Sequence, residues 1–318
     1  MRGNNHMAHA MKFVDVGQGK SVFEVRNETG TARMTRLSVY PGIDILYMDA
    51  HIQEFSCYAH PLPGVFAINH CEEGRIECNF RNGEYLYMGQ GDMCLGWRGK
   101  AEYCHTVFFP SSHYHGISLI FNVPEAQPLL DNLLAEDRID LTALCNRFCC
   151  DSDFGIIMEE NRDMKHLFYE LYHVPEKIQK RYYRLKILET LLFLSVIENI
   201  PVSNQTFFSK SQVETVKSIQ LEITQTLKGR ITIEELSDRY QIAPTTLKKC
   251  FKGVYGKSIY QYLKDFRISE AKRQLMMTDD TILAIANRVG YENCSKFAVA
   301  FQKKTGMLPK DYRRMYCK

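Results

Sequence analysis

Residues Ile231–Gly256, ITIEELSDRYQIAPTTLKKCFKGVYG, and Thr281–Gly306, TILAIANRVGYENCSKFAVAFQKKTG, are two copies of one unit. Ile233, Leu236 and Arg239 align with Ile282, Ile285 and Arg288. After one inserted residue, Leu247, Phe251 and Gly256 align with Phe297, Phe301 and Gly306. Matching apolar positions across a duplicated segment mark a repeated supersecondary unit. Each copy has the pattern of a helix-turn-helix. In the first, Thr232 and Glu235 stand at capping-box spacing before a short helix whose inner stripe is Ile233, Leu236 and Tyr240. A turn is predicted at Gln241–Ala243. Pro244 suits the first position of a second helix, where its missing N–H costs nothing. Leu247 and Phe251, four residues apart, anchor that helix, and Gly256 suits the left-handed position beyond its end. The second copy places its turn at Gly290-Tyr291, its anchors at Phe297 and Phe301, and its terminator at Gly306.

The anchors leave polar faces outward. The first second-helix offers Thr245, Thr246, Lys248, Lys249 and Lys252; the other offers Asn293, Ser295, Lys296, Val299, Gln302 and Lys303. Short polar side chains near a helix start, followed by lysines, suit base edges first and phosphates beyond. Between the copies, Ser258–Met276 reads as one helix of roughly 28 Å at about 1.5 Å per residue. That length would hold the two second-helices near one turn of DNA apart, about 34 Å.

Charge divides the chain in the same place. Residues 211–318 carry 20 Lys+Arg against 11 Asp+Glu, whereas residues 1–210 carry 20 against 26. A basic third on an acidic body is what a phosphate-binding module joined to another domain looks like. The chain has 318 residues, enough for two domains with real cores. It has no apolar run near the roughly 20 residues of a membrane span and no signal-peptide core, so a cytoplasmic location without membrane contact is expected. The 11 cysteines form no C-x-x-C pair and read as reduced thiols.

Residues about 12–122 read as short strands, among them Val65–Asn69, Glu84–Met88 and Ile117–Asn122, between turn signals such as Asn82-Gly83 and Gly89–Asp92. This suggests an antiparallel sandwich or small barrel. From about 125 to 200 the period turns helical, with helices expected over Met158–His173 and Lys177–Glu198. Leu185, Leu188, Leu191, Leu192 and Ser195 stripe the latter. The polar stretch Ser203–Ser211 is expected to be the linker, giving domains at 12–202 and 213–318 with a 203–212 connection.

The C-terminal region, about 213–316, resembles the DNA-binding domain of the AraC/XylS family of transcription regulators. The resemblance is carried by Leu236, Leu247, Phe251-Lys252, Gly256, Tyr262-Leu263, Arg267, Ala271, Leu275, Ile282, Ile285-Ala286, Val289-Gly290-Tyr291, Ser295, Phe297, Phe301, Gly306 and Pro309. It covers about a third of the chain. LKKCFKGVYG and YQYL also resemble, more weakly, the siderophore-responsive regulators near the pyochelin regulator. Two positions depart from the family: Ala243 where many members have serine, and Lys296 where many have serine or an aromatic residue.

The resemblance implies an α+β, two-domain chain. A cupin-like antiparallel β-barrel followed by dimerisation helices would precede an all-α double helix-turn-helix. LYMGQGDMCL, Leu86–Leu95, is similar to a cupin strand–Gly–Asp turn. The implied function is a ligand-responsive, sequence-specific transcription activator, not an enzyme and without a cofactor. Its partners would be promoter DNA, a small-molecule effector, RNA polymerase and a second copy of the chain. Tyr85, Tyr87, Trp97, His113 and His115 are the candidate effector contacts.

Two alternatives stand beside this reading. A cysteine-based redox regulator would use Cys250 or Cys294, provided the thiol is exposed and its pKa lowered. A metal-dependent cupin enzyme would use His113-Tyr114-His115, whose first and third residues share a strand face. No carboxylate follows that pair at cupin spacing, so no metal site is expected.

Overall fold

The computed structural model describes residues 12–17, 19–59, 64–79, 84–98, 103–148, 157–158, 162–197, 207–227, 229 and 231–316. The Asn82-Gly83 turn and residues 203–206 of the expected linker lie outside them. The chain divides into two units, Met1–Phe207 and Phe208–Lys318.

The first unit is rich in antiparallel sheet. Its strands are β1 (Lys12–Gly17), β2 (Lys20–Asn27), β3 (Gly30–Tyr40), β4 (Ile43–His51), β5 (Glu54–Ala59), β6 (Val65–Asn79), β7 (Glu84–Gly89), β8 (Met93–Arg98), β9 (Tyr103–Phe108), β10 (Tyr114–Asn122) and β11 (Ile157–Met158). The main sheet runs β1-β2-β3-β4-β10-β6-β7; β8 pairs with the first half of β6, and β5 pairs with β9 apart from it. The long β6 serves both because β7 takes only its far end, where Asn79 opposes Tyr85. The Gly89–Asp92 turn is tied by the Gly89 N–H donating to Asp92 Oδ2 at 2.7 Å.

Alternation along β8 sends Met93 and Leu95 into one core and Cys94 into another. The core that receives Met93 and Leu95 is shared with helices α1 (Val123–Leu134), α2 (Leu141–Phe148), α3 (Arg162–Tyr172) and α4 (Gln179–Ser195). Its buried members include Leu130, Leu144, Phe168, Ile187 and Leu191. Two helix boundaries differ from expectation. Met158 is not helical, because Ile157–Met158 pairs with Cys94–Met93 and the backbone bonds go to the sheet. The helix expected to start at Lys177 begins at Gln179, after a 3₁₀ turn over Glu176–Ile178.

The second unit is helical: α5 (Lys210–Gln225), α6 (Ile233–Tyr240), α7 (Pro244–Tyr255), α8 (Ile259–Met277), α9 (Ile282–Arg288), α10 (Cys294–Thr305) and α11 (Pro309–Tyr316). It begins earlier than the sequence suggests. Ser209 caps α5 in a reciprocal capping box with Gln212. Phe208 is buried, its ring pressed on α7 so closely that a Cβ at Gly253 would sit 2.1 Å from it. The polar run from 208 to 211 is therefore a helix start rather than a linker, its serines spent on capping.

Candidate nucleic-acid interface

The two helix-turn-helix motifs are α6–α7 and α9–α10, joined by α8. Thr232 Oγ1 accepts from Glu235 N while Glu235 Oε2 accepts from Thr232 N, starting α6. Gln241 takes the left-handed conformation that turns the chain, and Pro244 opens α7. Ala243, the residue before it, supplies no side-chain cap. Thr281 and Asn293 cap α9 and α10 through Ala284 N and Lys296 N. Gly256 and Gly306 end α7 and α10 in the left-handed region.

The outward faces are held by aromatic cores beneath. Phe251, Tyr255 and Tyr262 cluster with ring centroids 4.7–5.5 Å apart under α7. Phe297, Phe301 and Tyr312 cluster likewise under α10, at 5.3–5.6 Å. The α9–α10 turn is held at Gly290, whose φ is +85°, against the segment that follows α5. A Cβ there would lie 2.1 Å from Leu227 O, the carbonyl that also accepts from Arg267 Nη2 at 2.8 Å.

On these helices Thr245, Lys248, Lys249, Lys252, Ser295, Lys296, Val299, Gln302 and Lys303 are exposed, and Thr246 is half-buried. Asn293 is exposed too, but its Oδ1 is spent as the α10 cap. That engagement weakens the bidentate use of its amide on a base edge.

Several other basic side chains of the unit are neutralised. Arg239 pairs with Glu222, Arg273 with Glu270 at 2.6 Å and Arg288 with Asp280 at 2.7 Å. Lys257 and Lys304 converge on Asp265 at 2.5 and 3.4 Å. Burial works against the Asp265 charge, but the Lys257 hydrogen bond and the two ammonium groups outweigh it and hold the carboxyl below its usual range. By contrast, among the described residues Lys248, Lys249, Lys252, Lys296 and Lys303 have no acidic partner.

Cys250 faces inward. It is buried, its Sγ lies 3.6 Å from Gln212 O, and burial pushes its thiol up to about 12. That is the opposite of what a redox switch on α7 requires, so Cys250 does not serve that reading. Cys294, in the first turn of α10, is half-buried.

In the first unit a cleft of about 250 Å³ is lined by Arg33, Thr35, Tyr47, Met48, Asp49, Glu72, His115, Gly116 and Tyr172. Burial raises the Glu72 carboxyl and the Tyr47 and Tyr172 phenols above their ordinary values. Of the five expected effector contacts, His115 alone lines this cleft. Tyr85 and Tyr87 stand on β7, and the Tyr87 hydroxyl donates to Glu77 Oε2 at 2.6 Å. His113 faces His51 and Glu73. The Trp97 side chain lies outside the described residues. The cleft is assembled across β3, β4, β6, β10 and α3, so residue types along single strands do not outline it.

Two helix-turn-helix motifs linked by one helix, with unpaired lysines on both outer faces, define a class of double-motif nucleic-acid-binding units. A helix-turn-helix domain family matches residues 236–315. YobQ, an uncharacterised helix-turn-helix-type transcriptional regulator of Bacillus subtilis, is 38% identical over 84 residues, 26% of this chain and 35% of its own. A Streptomyces lividans protein described as an AraC-like transcription regulator is 39% identical over 83 residues, 26% of this chain and 27% of its own. The transcriptional activator RhaR of Yersinia pseudotuberculosis is 30% identical over 103 residues, 32% of this chain and 36% of its own. The chain thus covers about a third of the length of these relatives. Its C-terminal unit carries a helix-turn-helix domain and is similar there to AraC-like transcription regulators. No described helix is long and apolar enough to cross a membrane.

Proposed function

We propose that the chain is a ligand-responsive transcription activator that inserts α7 and α10 into successive major grooves of promoter DNA. The carrying observation is the set of five exposed lysines on those helices that have no acidic partner among the described residues, while other cations of the unit such as Lys257, Arg288 and Lys304 are paired. Unpaired lysines on a helix face are available to displace counterions from phosphates. Thr245, Thr246, Ser295, Val299, Gln302 and the Asn293 amide nitrogen would meet base edges, with Lys248, Lys249, Lys252, Lys296 and Lys303 on the backbone. The 19 residues of α8 span about 28 Å, close to the spacing of successive grooves.

The first unit fits the sensing role, with the sheet-rich half as a cupin-like domain and the cleft beside Arg33, Glu72 and His115 as its effector site. Effector binding would shift the chain toward the DNA-competent state by its differential affinity for the two. Pairing of two copies through α4 and contact with RNA polymerase complete the proposal.

The test is binding of the full chain to its own upstream intergenic DNA across a salt series, against competitor DNA. Lys248→Ala and Lys303→Ala should each weaken binding and lower the salt slope by about one. Unchanged slopes in both variants would remove these lysines from the phosphate contacts and the proposed docking with them.

A further inference from the structure

One end of the sheet gathers three histidines that no single stretch of sequence brings together. The pairing of β10 with β4 sets His115 opposite Asp49, and the pairing of β10 with β6 sets His115 opposite Glu73. Asp49, His115 and Glu73 therefore form one row across three strands. His51 follows Asp49 by two residues and His113 precedes His115 by two, so both return to the same face. The ring centroids are 5.0 Å apart for His51–His113 and His113–His115, and 5.6 Å for His51–His115. One nitrogen from each of the three lies within 4.8 Å of the others.

The hydrogen bonding makes this more than proximity. His113 Nε2 lies 2.9 Å from Glu73 Oε2. An ionised carboxylate only accepts, so His113 Nε2 carries the hydrogen and the Nδ1 of the neutral ring presents a lone pair. That Nδ1 faces His51 Nδ1 at 3.3 Å. Asp49 Oδ1 stands 3.1 Å from His51 Nε2, which favours the same tautomer there. Two lone pairs then point at each other and need a cation between them. Two nitrogens on one tetrahedral ion at about 2.1 Å would be about 3.4 Å apart. The third ring adds an unsatisfied atom: His115 Nε2 is sealed from solvent without a hydrogen bond, although Asp49 Oδ1 is 2.9 Å away. The backbone is tight as well, since a Cβ at Gly74 (φ +83°) would lie 2.0 Å from His113 O.

We infer that His51, His113 and His115 bind one divalent first-row transition-metal ion of the imidazole-preferring kind, such as Zn²⁺, Ni²⁺ or Cu²⁺. Glu73 and Asp49 orient the rings from behind, as carboxylates do for metal-bound imidazoles. The His51 side chain is 58% exposed and the other two about a third, so the ion is reached from solvent and keeps an open coordination position. His115 and Asp49 also line the cleft, so the open position adjoins the surface where a small molecule would dock. The inference stands independently of the DNA-binding proposal.

The experiment is calorimetric titration of the chelator-stripped full chain with Zn²⁺, with Co²⁺ as a spectroscopic replacement. One ion per chain is expected, with visible Co²⁺ bands of a nitrogen-ligated site. His51→Ala and His113→Ala should each weaken binding by at least tenfold, and Glu73→Gln by about ten- to a hundredfold. His166→Ala, on α3, and the double change His6→Ala/His9→Ala should leave it intact. Circular dichroism checks that the variants remain folded. Absence of stoichiometric binding would mean that the facing Nδ1 atoms share a proton instead, and the inference fails. Binding lost only in the His6/His9 variant, or unchanged in both the His51 and His113 variants, would overturn it equally.

Discussion

At the scale of single residues, His70 has the most readable physical consequence. It lies on β6, buried, with its ring stacked on Phe168 at 4.2 Å and its Nδ1 3.1 Å from the Tyr172 hydroxyl. Burial lowers its pKa from the ordinary 6.5 to about 4. The folded state therefore keeps His70 neutral where the unfolded chain takes up a proton. The stability tied to this residue is complete above pH 6.5 and drains away as the pH falls toward 4, by up to about 3 kcal/mol. Urea unfolding followed by the fluorescence of Trp97, the single tryptophan, should show that loss across this window. His70→Gln, whose side chain does not titrate, should flatten it. An equal acid slope in the variant would assign the effect to other groups.

At the scale of elements, the two helix-turn-helix motifs differ at one cap. Serine or threonine-type caps start α6, α8 and α9, whereas α7 starts from Ala243 in extended backbone with no side-chain acceptor. Ala243→Ser would give the first turn of α7 an acceptor and should stabilise the chain by about 1 kcal/mol in thermal unfolding followed by far-ultraviolet circular dichroism. No gain would mean that Pro244 and Thr232–Glu235 already hold the turn at its full value. This cap was legible in the sequence, as were the capping box, Pro244, the Phe pairs and both terminal glycines, because each is set by residues within one or two helical turns. Legibility stopped where distant pairing decides. Met158 reads as helical until β8 claims it. His113 and His115 read as an isolated H-x-H pair, since their third partner, His51, arrives through the β4–β10 register. The cleft beside Arg33, Glu72 and His115 was illegible for the same reason: its walls come from five elements far apart in the chain.

At the scale of the whole molecule, the two units have separate cores and opposite charge balance, and what unites two copies of the chain would have to be a surface of its own. On α4, the stripe Leu185–Leu188–Leu191–Leu192 does not behave as one face. Leu191 is fully buried and Leu188 packs against the core, while Leu185 and Leu192 remain 66% and 43% exposed. Ile178, one heptad before Leu185, is also exposed. Ile178, Leu185 and Leu192 thus repeat every seven residues, the period of a seam between two helices, and all three keep a large share of their surface exposed. If this seam pairs two chains, Leu185→Glu and Leu192→Glu together place four like charges across it. Sedimentation should then show a monomer where the parent chain is a dimer at the same concentration. The fold itself should hold, because both side chains already face water within one chain and surface substitutions of that kind cost little. The altered chain would keep both helix-turn-helix motifs, so it should still bind a single site with the same salt slope while losing the affinity gained from two linked half-sites. A dimer that survives both charges would move the contact off α4, and a monomeric parent chain would remove it altogether.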